Sequence, residues 1–166
     1  MATITQTFGS ATAFTITNAN LSTSATAGWQ SNAIDNSSNL YDDALVMTDF
    51  AAVNTAPANS KAIFFYAFGI VDGSGALYTN TGAAQPGGSE GTLTFPDITA
   101  NPIPAPLLGV LPYPTQNNIL RGGPWSVARC FGGILPVKWA IGMVNHSGMT
   151  LNVTSIKYIE VKYTVA

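Results

Sequence analysis

The stretch Ala62-Ile63-Phe64-Phe65-Tyr66-Ala67-Phe68-Gly69-Ile70-Val71 decides the fold class. It is apolar throughout and rich in aromatic side chains, yet it is only about half as long as a transmembrane helix must be. A run of this kind, bounded by Gly, Asn and Ser, reads as a buried strand. Alternate side chains of a strand point to opposite faces. Ile63, Phe65, Ala67 and Val71 therefore share one face, and Phe64, Tyr66, Phe68 and Ile70 share the other. Only one of these can meet the core of a two-layer protein, so the second needs a cover of its own.

Two covers are on offer. One is a loop of the same chain, for which the Pro-rich stretch 101–114 is long enough. The other is a neighbouring subunit, since large exposed apolar patches usually mark contacts. The composition favours the neighbour: 46% of the 166 residues are apolar and only 8% are charged, against roughly 25% charged in ordinary soluble domains. The sequence thus places Phe64, Tyr66, Phe68 and Ile70 in a subunit interface. Pro104, Leu107 and Tyr113 join them from the Pro-rich stretch, which is expected to be an edge strand or an extended arm because prolines are excluded from central strands.

Around this run, short β-branched and aromatic segments alternate with turn residues, and no stretch of a dozen residues keeps a helical period. Strands are expected near 11–17, 27–34, 44–53, 61–71, 91–96, 106–111, 125–131, 134–144, 149–153 and 155–165. So many short strands in one domain predict an all-β fold, an antiparallel two-sheet sandwich of the jelly-roll type. Between 134 and 144, Leu135, Val137, Trp139, Ile141 and Met143 form a bulky core face, with Lys138, Ala140 and Gly142 on a thin one. In the last strand Ile159, Val161, Tyr163 and Val165 are expected inside, and Tyr158, Glu160, Lys162 and Thr164 in water. Residues 1–26 are thin in apolar anchors and read as an N-terminal arm or edge segment on a domain spanning 27–166. Ile4 and Phe8 are the arm's candidate contacts with a partner.

Chemistry is sparse. The one histidine, His146, lies in the turn-like Asn145-His146-Ser147-Gly148, and the one cysteine, Cys130, lies in an apolar segment where free thiols are commonly small core residues. Asp35, Asp42, Asp43 and Asp72 sit in turn sequences suited to Asx-turns. Gly87-Gly88 and Gly122-Gly123 lack the Lys-Ser/Thr ending of a phosphate loop. Six scattered basic residues and a net charge of −2 give no footprint for nucleic acid. The reading is a non-enzyme with no catalytic residue, no cofactor and no metal, and without a nucleic-acid or membrane partner. The absence of a basic and apolar leader after Met1 suggests synthesis in a cytoplasm.

Several segments in order carry a resemblance. They are Gly28-Trp29-Gln30-Ser31 running into Asp35-Asn36 and Leu40-Tyr41-Asp42-Asp43-Ala44-Leu45-Val46; Tyr66-Ala67-Phe68-Gly69-Ile70-Val71-Asp72-Gly73; Gly123-Pro124-Trp125-Ser126-Val127-Ala128; and Phe131-Gly132-Gly133-Ile134-Leu135-Pro136 through Trp139 to Asn145-His146-Ser147-Gly148. Over roughly residues 28–150 the chain resembles small virion proteins of tailed bacteriophages, the jelly-roll decoration (cement) proteins of phage heads. The resemblance implies a homo-oligomer, usually a trimer, made in the host bacterial cytoplasm. It would bind the major capsid protein on the outer surface of the virion and bridge capsomers. The alternatives are a phage tail or baseplate adhesin and a carbohydrate-binding β-sandwich that would use Trp29, Trp125 and Trp139.

Overall fold

The computed structural model describes residues 3–17, 20–58, 61–70, 89–95 and 105–165. Among them are twelve strands: β1 (Ile4–Phe8), β2 (Thr12–Ala13), β3 (Asn20–Leu21), β4 (Ala27–Gln30), β5 (Ile34–Asp35), β6 (Asp43–Phe50), β7 (Ala62–Ile70), β8 (Gly91–Thr94), β9 (Leu107–Pro112), β10 (Leu120–Ser126), β11 (Lys138–His146) and β12 (Leu151–Val165). They form two antiparallel sheets. The first has the order β1-β12-β6-β10, with β2 and β3 also on β12; the second has the order β8-β4-β11-β7-β9, with β5 on β11. The all-β sandwich expected from the sequence is what the chain forms.

The space between the sheets is filled from the predicted faces of β7 and β11. Ile63, Phe65 and Ala67 meet Trp139, Ile141, Met143 and Leu135 in one buried cluster with Val46, Phe50 and Ile156. Two aromatic groups fix its ends. Trp139 stands edge-on to Phe14 and Tyr158, with ring centres 5.9 and 5.2 Å away, in the geometry that aromatic quadrupoles favour. At the other end Phe65 lies 6.3 Å from Phe50 and 4.9 Å from Trp125. The Trp125 ring packs over Gly109, where a Cβ would fall 2.6 Å from ring carbon Cδ2. This contact ties β10, the edge of one sheet, to β9, the edge of the other.

The second face of β7 is covered from within the chain, which corrects the expectation of a subunit there. Tyr66, Phe68 and Ile70 are 6%, 1% and 1% exposed and pack with Leu93, Phe95, Ala105, Ala140 and Val144, with Phe64 half-buried at the margin. Phe95, just past β8, lies 5.5 Å from Tyr66 and 6.2 Å from Phe68. It fits because two neighbours lack side chains: a Cβ on Gly142 would come within 2.8 Å of its ring, and one on Gly28 within 2.7 Å. The thin face of β11 is thus the seat of a ring. Burial pushes the Tyr66 hydroxyl up to about 12, as expected of a phenol out of reach of water.

Other departures have local causes. The strand expected over 125–131 ends at Ser126 and gives way to a 3-10 turn at Ala128–Phe131, stopped by Gly132 at φ 74°. Asp43 Oδ1 accepts the Ala128 N–H at 2.9 Å and holds that turn against β6. The segment expected as a strand over 11–17 is regular only at Thr12–Ala13. The strand of the N-terminal segment is instead Ile4–Phe8, laid along β12 from Val165 to Val161.

The last two expected strands are one, interrupted by a bulge: Val153 faces Phe50 while Ser155 faces Asp49, so Thr154 is an extra residue. An extra residue reverses the parity of everything after it. Leu151 and Val153 are inside on odd numbers, but Ile156 and Tyr158 are inside on even ones. Tyr163 and Val165 are exposed, which corrects the faces expected for these two residues, whereas Val161, also expected inside, is buried at 1% exposure.

A carboxylate clasps the N-terminal segment to the second sheet. Glu90 accepts hydrogen bonds from Trp29 Nε1 at 2.6 Å, Thr17 N at 2.9 Å and Thr17 Oγ1 at 2.6 Å. Burial alone would raise its pKa, but the bonds from Thr17 and Trp29 outweigh burial and leave it lowered.

Two outcomes follow from these contacts. Phe95→Ala should destabilise the chain by about 3–5 kcal/mol, and Phe68→Asp should unfold it rather than release a subunit, read by circular dichroism in urea. The Glu90 clasp stabilises fully above the ordinary carboxylate pKa of about 4.3 and is lost as the pH falls through the lowered folded value. A urea midpoint that drops on acidification in the native chain should drop less in Glu90→Gln.

Candidate functional site

The residues that carry chemistry are occupied by the fold. Asp35 Oδ1 accepts the Ser37 N–H at 2.8 Å, an Asx-turn as the sequence suggests, and these Ser37 bonds lower its pKa. Asp42 Oδ2 accepts the Tyr163 N–H at 2.6 Å. Cys130 is half-buried, and burial pushes its thiol up despite neighbouring Arg129. His146 closes β11 opposite Ala62. Its neighbour Asn145 is buried, donating to Leu21 O at 2.9 Å and Met149 O at 2.5 Å and accepting from Ser147 Oγ at 2.6 Å. No group of three or more His, Cys, Asp or Glu comes together among the described residues. Asp72 and Gly87-Gly88 lie outside them.

The tryptophans do not make a platform. Trp29 and Trp139 are core residues and Trp125 is half-buried between the two edge strands.

The expected contact residues separate into three groups. Tyr66, Phe68 and Ile70 are inside the chain, as is Tyr113, whose hydroxyl donates to Asn118 O at 2.9 Å and accepts from Val53 N at 3.3 Å. These four are corrected from interface to core: the Phe95 cover and the Tyr113 hydrogen bonds leave no surface for a partner. Leu107 is 52% exposed on the edge strand β9, and Pro104 lies outside the described residues. Ile4 and Phe8 are 69% and 59% exposed.

Ile4 and Phe8 do not stand alone. Directly opposed residues of antiparallel strands share a face, with Cβ atoms about 4.5–5.5 Å apart. Ile4 faces Val165, Gln6 faces Tyr163 and Phe8 faces Val161, and Tyr163 and Val165 are 50% and 72% exposed. Four of the nine large exposed apolar side chains among the described residues thus converge on one end of the first sheet's outer face. Gln6 Nε2 donates to Tyr163 Oη at 3.1 Å and holds the ring in place. Inward along the same face come half-buried Ile159, Leu45 and Met47.

Beside Tyr163 the surface dips into an open groove of about 540 Å³ lined by Asp42, Asp43, Ser126, Arg129 and Gly132. The apolar patch thus borders a groove whose lining carries both acidic and basic side chains. The sequence singled out Ile4 and Phe8 and missed Tyr163 and Val165, because the Thr154 bulge that turns them outward leaves no periodic signature.

Since more than half of the Phe8 surface and half of the Tyr163 surface is open to solvent, Phe8→Asp and Tyr163→Asp should each cost about 1 kcal/mol or less, well short of a core substitution. A urea titration that shows Phe8→Asp as costly as a core substitution would place Phe8 inside.

No protein-family model matches this sequence, and no curated protein matches it.

Proposed function

We propose that this chain is a structural assembly protein that docks on the outside of a bacteriophage head, binding the major capsid protein through the outer face of its first sheet. The observation that carries the reading is the convergence of Ile4, Phe8, Tyr163 and Val165 on one exposed face beside a polar groove. Interfaces draw their energy from a few apolar and aromatic anchors ringed by polar contacts. The carboxylates that would serve catalysis are spent on backbone hydrogen bonds, which favours binding over chemistry.

The strand order supports the jelly-roll part of the resemblance. With the two-residue strands and the outermost β8 set aside, β1-β12-β6-β10 faces β4-β11-β7-β9. Most successive strands alternate between the sheets, and the chain's first and last major strands lie side by side. In the decoration reading many symmetric copies hold a shell by multivalency, so each contact can be modest.

The test is cosedimentation of the purified chain with shells assembled from the phage's major capsid protein. The native chain should saturate the shells, and Phe8→Asp/Tyr163→Asp should bind about 30-fold more weakly, the equivalent of losing a hot spot worth ~2 kcal/mol. Deletion of residues 1–10 should do the same while leaving the fold intact. A native chain that ignores the shells, or a double variant that binds them normally, overturns the reading; capture by cell-wall glycans instead would support the adhesin.

A further inference from the structure

We infer that the free edge of β1 pairs with the same strand of a second copy, antiparallel and centred on Gln6, joining two first sheets into one. β1 is the last strand on its side of the sheet, and among the described residues nothing pairs with its outer edge. Sheet edges of this kind are normally blunted by charge, proline or a bulge. Ile4-Thr5-Gln6-Thr7-Phe8 has none of these and pairs with β12 without a register shift.

The backbone direction fits. Gly9 N donates to Glu160 O at 2.8 Å, so Gly9 turns its polar groups toward β12. Residues of an antiparallel pair that face their partner alternate with residues that face away. Thr7 and Thr5 therefore face β12, and Ile4, Gln6 and Phe8 present their N–H and C=O groups to the open edge. A strand added there must match these three.

The sequence of β1 matches itself. Reversed about Gln6, the pattern apolar-Thr-Gln-Thr-apolar is unchanged. An antiparallel copy sets Gln6 against Gln6, Thr5 against Thr7 and Ile4 against Phe8. The three outward-facing residues then form hydrogen-bonded pairs with the three of the partner, and each Ile4 meets a Phe8 on the outer face, a favourable cross-strand pair. The contact is isologous, as a two-fold axis requires. It also fuses the two exposed patches of Ile4, Phe8, Tyr163 and Val165 into one surface. A second copy is the occupant because the pattern of β1 is its own antiparallel complement.

The pairing concerns the chain by itself and can be tested without a capsid. In a full-length Cys130→Ser background, Gln6→Cys places two thiols across a hydrogen-bonded pair, with Cα atoms about 5.5 Å apart, inside the roughly 4.4–6.8 Å range of disulfides. Thr5→Cys places its two copies two residues out of register, more than about 7 Å apart and out of reach. On mild oxidation Gln6→Cys should double in mass while Thr5→Cys should not. Gln6→Pro, which removes a donor on the open edge and leaves those toward β12, should weaken self-association at least ~10-fold by sedimentation equilibrium. No crosslink at Gln6, equal crosslinking at both positions, or undiminished association of Gln6→Pro overturns the pairing. Protection of residues 4–8 only when capsid protein is added, with no crosslink at Gln6, gives the edge to the capsid protein instead and also overturns it.

Discussion

The central strands β7 and β11 are dry on both faces, and the rest of the molecule is arranged around that constraint. Between the sheets they meet Phe50, Val46 and Ile156 from the first sheet. On the far side Leu93 and Phe95 from the neighbouring edge of the same sheet, together with Ala105, cover them. Burial of apolar surface favours the arrangement at roughly 25 cal/mol per Å², but it works only because the strands offer bare spots to fill. Gly142 and Gly28 are those spots, and Phe95 occupies them. A chain with so few charges thus turns much of its apolar surface onto itself.

Four of the nine large exposed apolar side chains among the described residues lie together where the sandwich runs out. β12 is long enough to pass beyond the core, and β1 follows it there. The Thr154 bulge decides which side chains of that overhang look outward. Had the strand stayed in register, Tyr163 and Val165 would lie on the same face as Val153. Instead Tyr158 goes inward against Phe14 and Trp139, and Tyr163 and Val165 join Ile4 and Phe8 outside. The exposed cluster of Ile4, Phe8, Tyr163 and Val165 follows from one inserted residue and one long strand.

The polar groups of the chain belong mostly to its architecture. Asp43 holds the 3-10 turn, Asn145 gathers the hairpin before β12 and the backbone at Leu21, and Glu90 fastens the N-terminal segment to Trp29. None of these pairings is local in sequence except the hairpin. A reader of the chain sees an Asp, an Asn and a Glu in turn-like company and cannot see that each bonds across tens of residues. Among the described residues the exposed ion pairs Arg121 with Asp49 at 3.6 Å and Lys138 with Asp35 at 3.8 Å add little, as surface pairs do.

By itself the sequence determined the all-β class, the strands around 44–50, 62–70 and 138–144, and the division of β7 and β11 into two faces, because alternation is a local property that side-chain direction imposes on any strand. It also marked Ile4 and Phe8 as apolar residues without local company. Tertiary structure alone decided what covers Phe68, which way Tyr163 points, and that Tyr113 is a core residue. Each depends on a contact between distant segments or on a one-residue bulge. Periodicity carries no information about either: a pattern of period two reads the same whichever face is inside, and only the packing partner breaks the tie.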